Sequence, residues 1–274
     1  MKFNQNNNWI TMKNLFKYLS GILMVLIVLF GAINCLSSFR TCRETKPDDG
    51  LDKDLVSYKN VNPVKPPVSI VDTFNLRIYY PNYSKVDLVC GKMPSKDAQS
   101  IIMFAEAAFT GEYLKEFKHS NIAGDHVSQG KRQKGYKCKR NNGAFVFYNG
   151  KPKFLYKAYS EELDNASRNG GCGFAQEMMI HNGSTVPHTR SNNNSNEFRA
   201  LCLIAGKLAV VDSKGIVKFG DFIRDLKKAG ATEALYLDMG PGWNYSWYRD
   251  EKGNPIEIHS LPTKYATNWI TFYR

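Results

Sequence analysis

Three dipeptides, Asn149-Gly150, Asn182-Gly183 and Gly206-Lys207, each fall between short apolar runs. Asn and Gly tolerate positive φ, so these pairs read as hairpin turns, and a chain with several of them is committed to antiparallel sheet. The flanking runs are Phe145 to Tyr148 and Phe154 to Tyr156, then Met178 to Ile180, then Leu201 to Ala205 and Leu208 to Asp212. Upstream, Phe74 to Tyr80, Val86 to Cys90 and Ser100 to Phe109 read as further strands. One helix is predicted near Asp221: Phe222, Ile223, Leu226 and Ala229 share a face, Asp221 is the candidate N-cap, and Gly230 stops it. A strand follows at Ala234 to Leu237. The expected fold class is α+β, a single domain with a largely antiparallel twisted sheet and a few packed helices.

Residues 1–40 contain Lys2, Lys13, Lys17 and Arg40 and no acid, and Leu19 to Leu36 is almost wholly apolar. A basic start followed by such a stretch reads as an export signal or a membrane anchor. An uncleaved anchor, a removed signal and a lipid anchor at Cys35 all remain open. Residues 41–68, with Pro47, Pro63, Pro66 and Pro67 and no apolar periodicity, read as a tether, and 69–274 as the folded domain. The domain is therefore expected in the periplasm or extracellular space. No second stretch is long and apolar enough to span a bilayer, which excludes a multi-pass membrane protein.

Net charge is +12, yet four of those charges lie in residues 1–40. A further six, Lys131, Arg132, Lys134, Lys137, Lys139 and Arg140, crowd into one segment that reads as a loop. The excess is therefore no argument for nucleic acid, and no nucleic-acid partner is expected; an anionic envelope polymer or lipid is the more accessible partner for that loop. Cys90, Cys138, Cys172 and Cys202 form an even set, open to pairing after export or to burial as free thiols. None has a CxxC or His-paired spacing, and His181 and His188 lack a third ligand, so neither metal nor cofactor is expected.

The segment richest in chemistry is Asp238-Met239-Gly240-Pro241-Gly242-Trp243-Asn244-Tyr245-Ser246. It sets a carboxylate at the end of an apolar strand, followed by glycines that let backbone amides approach a phosphate. A tight turn with an Asp that satisfies local amides would look the same. Together with Arg199-Ala200-Leu201, Gly206-Lys207-Leu208, Phe222 to Gly230 and Glu233 to Asp238, this half of the chain resembles the phosphodiester glycosidase domain family, which includes the uncovering enzyme of the mannose 6-phosphate pathway and many bacterial domains. Ala105-Glu106-Ala107-Ala108-Phe109 stands where that family has an Asn-Gly-Gly strand end, and Asp238-Met239-Gly240-Pro241-Gly242 replaces its Asp-Gly-Gly-Gly-Ser, which marks a divergent member.

The resemblance implies hydrolysis of a sugar-1-phosphodiester, for which phosphate needs a cation or amide cradle and the sugar needs carboxyl chemistry. Arg199 is the candidate phosphate clamp, because a guanidinium pairs bidentately with phosphate oxygens. Asp238 is the candidate principal carboxylate, with Glu106 and Asp125 for the second and His126 as acid or orienting group. Gly240 and Gly242 are candidates for the amide cradle, Asn244 and Ser246 for hydrogen bonds to substrate, and Trp243 for sugar stacking. The competing expectation is a catalytically silent glycan-binding module of the same fold, suggested by the altered glycine loop. A third is an envelope-associated protein that works through Lys131 to Arg140.

Overall fold

The computed structural model describes residues 65–111, 117–240, 245–259 and 266–274. All belong to one compact unit, Val61–Arg274. The expected signal or anchor (1–40) and tether residues 41–64 lie outside the described residues, as do Gly242, Trp243 and Asn244. Among the described residues no helix is long and apolar enough to cross a membrane.

The strands run β1 (Val68–Thr73), β2 (Leu76–Pro81), β3 (Lys85–Cys90), β4 (Ile101–Glu106), β5 (His126–Ser128), β6 (Lys131–Gln133), β7 (Gly143–Tyr148) and β8 (Lys151–Tyr156). After a helix at Ser160–Arg168 come β9 (Cys172–Gln176), β10 (Met178–His181), β11 (Ser184–Thr185), β12 (Ser195–Asn196), β13 (Arg199–Ile204), β14 (Lys207–Ser213) and β15 (Val217–Lys218). A second helix, Phe219–Lys228, precedes β16 (Ala231–Leu237), β17 (Ser246–Arg249), β18 (Pro255–His259) and β19 (Asn268–Tyr273).

This corrects the expected α+β class: the fold is mostly β, with two α-helices among the described residues. Each helix is short and covers one sheet rather than forming a layer, so the hydrophobic work is done by sheet against sheet. A seven-stranded sheet has the order β1-β2-β14-β13-β16-β10-β11, and two five-stranded sheets have the orders β18-β17-β4-β19-β3 and β6-β5-β9-β7-β8. Their ladders are antiparallel, as the turn dipeptides predict.

The three sheets share one core. Leu201, Val210, Leu235 and Leu237 come from the seven-stranded sheet, Leu88, Met103, Ile270 and Phe272 from the second, and Phe145 and Phe174 from the third. At about 1.5–3 kcal/mol for each large side chain buried, this cluster is the main source of stability. The opposite face of the seven-stranded sheet is covered by Phe219, Phe222, Ile223 and Leu226 of the second helix. That helix begins three residues earlier than predicted: Lys218 is the N-cap, and Asp221 lies in the first turn and pairs with Arg224 instead of capping it.

Asn149-Gly150 and Asn182-Gly183 carry φ of 51° and 71°, and of 49° and 73°, as two-residue hairpin turns require. The third turn sits at Ala205-Gly206, one residue before the predicted pair, with Ala205 at φ 49°. The four described cysteines Cys90, Cys138, Cys172 and Cys202 are free thiols.

Candidate functional site

Two strand ends meet at the site. β16 ends at Leu237 and places Asp238 just beyond it, while β4 ends at Glu106. The backbone that follows Glu106 is pinned from three directions. The Ala107 carbonyl accepts from the Asp238 amide (3.1 Å) and from Gln176 Nε2 (3.3 Å). Asn268 brackets Ala108, accepting from its amide at 2.7 Å and donating to its carbonyl at 3.0 Å. Buried amides must be satisfied, so these bonds fix the two strand ends to one another.

Glu106 is 2% exposed. Its Oε1 accepts the Tyr245 amide at 3.1 Å, and its Oε2 has no hydrogen-bond partner among the described residues. Burial pushes its carboxyl up to about 9, the negative charge of Asp238 pushes the same way, and the Tyr245 amide and Arg199 oppose. Asp238 is nearly as buried, at 9% exposed. Its burial raises it to about 6, against the Gly240, Thr110 and Met239 amides and the charge of Arg190. At neutral pH the pair therefore holds one protonated and one ionised carboxyl, the arrangement that acid-base chemistry requires.

Arg199 belongs to the same neighbourhood, but most of its fork is already used. It is fully buried, and its Nε and Nη2 donate to the two oxygens of Asp212 at 2.6 and 2.7 Å. Only Nη1 lacks a partner. A cleft of about 610 Å³, lined by Arg77, Tyr79, Asp212, Tyr248, Glu257 and His259 among others, reaches Asp212, while Arg199, Glu106 and Asp238 do not line it.

Arg190 is a cation that the sequence reading passed over. It stacks on Tyr236 at 4.4 Å and lowers the Asp238 carboxyl. Its loop is held by the buried Glu177, whose Oε1 accepts the Thr189 amide, the Thr189 hydroxyl and the Arg190 amide at 3.2–3.3 Å. The other oxygen of Glu177 is 3.5 Å from Arg190 Nε. The only trace in the sequence is the polar pair Gln176-Glu177, which interrupts two apolar runs.

The remaining candidates divide. Gly240 turns its amide onto Asp238 Oδ1 at 3.3 Å, so that amide is directed at the carboxylate itself. Ser246 is fully buried in β17 and its hydroxyl has no hydrogen-bond partner among the described residues. Asp125 does not join the pair: it binds Arg132 at 2.8 Å, on the rim of a separate cleft with Tyr136 and Tyr159. Arg132 also bonds Asp164, so part of the basic run holds the fold. His126 is fully buried in β5 and faces His119 rather than a carboxylate.

The sequence matches no family model and no curated protein. Among solved structures, the chain is similar to the catalytic domain of zebrafish N-acetylglucosamine-1-phosphodiester alpha-N-acetylglucosaminidase, auto-inhibited by its pro-peptide. The TM-score is 0.52 and the identity 10%, over 77% of this chain and 82% of that one. A hypothetical protein from Synechocystis matches more weakly, with a TM-score of 0.45 and 12% identity over 76% of this chain and 61% of that one. The zebrafish match carries the conclusion on fold: the described domain has a distant phosphodiester glycosidase-like architecture.

Proposed function

We propose that this protein hydrolyses a glycosyl phosphodiester, breaking the bond between the anomeric carbon and the phosphate oxygen. The observation that carries the reading is the buried pair Glu106 and Asp238, whose environments drive their proton affinities apart within a fold similar to a phosphodiester glycosidase. Glu106 retains its proton at neutral pH and has an unpartnered Oε2, and it hands that proton to the departing phosphate oxygen. Asp238, ionised above about pH 6, takes a proton from the attacking water or stabilises positive charge at the anomeric carbon. The products are free sugar and a phosphomonoester. Arg190 supplies positive charge for the phosphate, and the buried Nη1 of Arg199, unpartnered among the described residues, adds to it.

The basic, apolar N-terminal segment supports a hydrolase that works outside the cytoplasm, exported or tethered through residues 1–68. The substrate that the zebrafish enzyme's name describes, an N-acetylglucosamine-1-phosphodiester, is the first to test. Equal release of reducing sugar and phosphomonoester is expected, with a bell-shaped rate profile that rises through about pH 6 and falls through about pH 9 as the coupled pair titrates. Wild-type turnover in Asp238→Asn would sink the assignment. Tight glycan binding with no turnover on any phosphodiester would favour the glycan-binding alternative, which the Gly240 amide turned onto Asp238 supports.

A further inference from the structure

Cys90 at the end of β3, His119 in the short 3-10 turn His119–Asn121 and His126 at the start of β5 come from three separate elements, yet their ligand atoms all lie within 4.8 Å of one another. The two imidazoles are stacked, with ring centroids 5.2 Å apart and planes 18° from parallel. His119 Nδ1 faces His126 Nε2 at 2.9 Å.

The second nitrogen of His126 settles which atom is available. His126 Nδ1 lies 3.2 Å from the Gly124 carbonyl, an oxygen that can only accept, so Nδ1 carries the proton and Nε2 presents a lone pair toward His119 and Cys90. A ligating histidine is commonly oriented in this way, through its other N–H donated to a backbone carbonyl. The surroundings are rigid as well. Ser128 of β5 donates to the Leu88 carbonyl of β3 at 2.7 Å and so ties together the strands that carry His126 and Cys90. Phe117 packs edge-on to His119, with centroids 4.9 Å apart, and a side chain at Gly91 would come within 3.1 Å of its ring. Cys90 and His119 are half-buried, which leaves a path for an ion.

We propose that Cys90, His119 and His126 form a binding site for one borderline-soft divalent transition metal ion, zinc or cobalt in chemical class, with a fourth position open to water or a ligand. Two imidazoles and a thiolate suit such an ion better than a hard, oxygen-preferring one. Tetrahedral zinc needs N···N and N···S separations of about 3.3–3.6 Å, from metal–nitrogen and metal–sulfur lengths of about 2.0–2.3 Å. The rings therefore part slightly and the thiol closes in. On binding, the Cys90 thiol releases its proton to solvent and the proton on His119 Nδ1 moves to Nε2, so that three lone pairs meet the ion. The site is independent of the Glu106 and Asp238 chemistry.

The test titrates metal-stripped full-length protein, without a histidine tag, with Co²⁺ and follows the thiolate-to-cobalt charge-transfer absorption and its displacement by Zn²⁺. One equivalent per chain is expected at this site. Cys90→Ser removes that absorption, and His119→Gln weakens cobalt binding by more than about 100-fold, since even outer-shell changes cost 10–100-fold. Cys138→Ser leaves both unchanged. His119 is partly exposed, so its variant keeps the test decisive if His126→Gln does not fold. No charge-transfer band in the wild type, or a band of unchanged intensity and affinity in Cys90→Ser or His119→Gln, overturns the site.

Discussion

Two pairs of charged residues lie close together in this fold, equally hidden from water and opposite in design. Arg199 and Asp212 meet across β13 and β14 as a bidentate ion pair, with Nε and Nη2 each bonded to a carboxylate oxygen. Glu106 and Asp238 are two acids of which burial lets only one ionise at neutral pH, and one Glu106 oxygen has no hydrogen-bond partner among the described residues. Burial is costly for both; the first pair is compensated by its own opposite charges, whereas the second is met only by backbone amides and leaves Glu106 Oε2 without a hydrogen bond among the described residues. An uncompensated group that persists in a well-packed core is where a ligand or a reaction supplies the missing partner. The contrast also redistributes the roles read from sequence: Arg199 acts first as the partner of Asp212, and Arg190 is the more available cation.

The most direct way to break this contrast is to remove charge from each pair separately. Asp238→Asn and Glu106→Gln should each lower turnover of a sugar-1-phosphodiester by about 10²- to 10⁴-fold, measured by steady-state kinetics, with the fold retained. Arg199→Met should in addition cost about 3–5 kcal/mol of stability by chemical denaturation, because it leaves the buried Asp212 with only His259, 3.6 Å away, in place of its bidentate partner. Adding Asp212→Leu should recover most of that loss; a double variant no more stable than the single one would refute the account of a compensated buried ion pair.

Stability against pH sharpens the same comparison with a smaller effect. The folded protein holds the Glu106 proton up to about pH 9, whereas the unfolded chain releases it near the ordinary 4.5. Between those values the unfolded state binds fewer protons, so the contribution of Glu106 is fully present below pH 4.5 and is lost as pH rises toward 9. Asp238 adds the same slope between 3.8 and about 6. Glu106→Gln should therefore flatten the fall and leave the variant more stable than wild type at pH 8, by a few kcal/mol in urea titrations at several pH values. A wild-type protein that becomes more stable across this range would contradict the buried, half-satisfied carboxyl.

The smallest effect concerns positioning. Asn268→Ala removes the bracket on Ala108 and leaves buried backbone groups unpaired, at about 1–3 kcal/mol. It should also lower kcat more than it changes KM, because Glu106 lies two residues away. Unchanged kinetics with lowered stability would restrict Asn268 to a structural role.

Much of the strand pattern was legible in the chain because turn chemistry is local. Asn149-Gly150 and Asn182-Gly183 specify positive φ whatever surrounds them, and alternation then assigns faces. The fold class was misread because one clear amphipathic helix, Phe222 to Ala229, suggested a helical layer. How many sheets a helix must cover is set by sheets packing on sheets, which no local window contains. Asp238 and Glu106 stood out as acids at the ends of apolar runs. Arg190 and Glu177 did not, because their connection runs through a loop whose shape depends on contacts distant in sequence. The Cys90, His119 and His126 cluster was hidden for the same reason, its members being spread over β3, a short turn and β5.

By itself the sequence determined antiparallel strands and their turns, a basic, apolar N-terminal segment and an acid at the end of an apolar run, while the α+β class it suggested gave way to a mostly β fold. Only the tertiary structure decided which charges compensate one another. Hydrogen-bond partnership and desolvation are properties of neighbours in space, and they made Arg199 a paired group, left Glu106 unsatisfied and brought a thiol to two imidazoles.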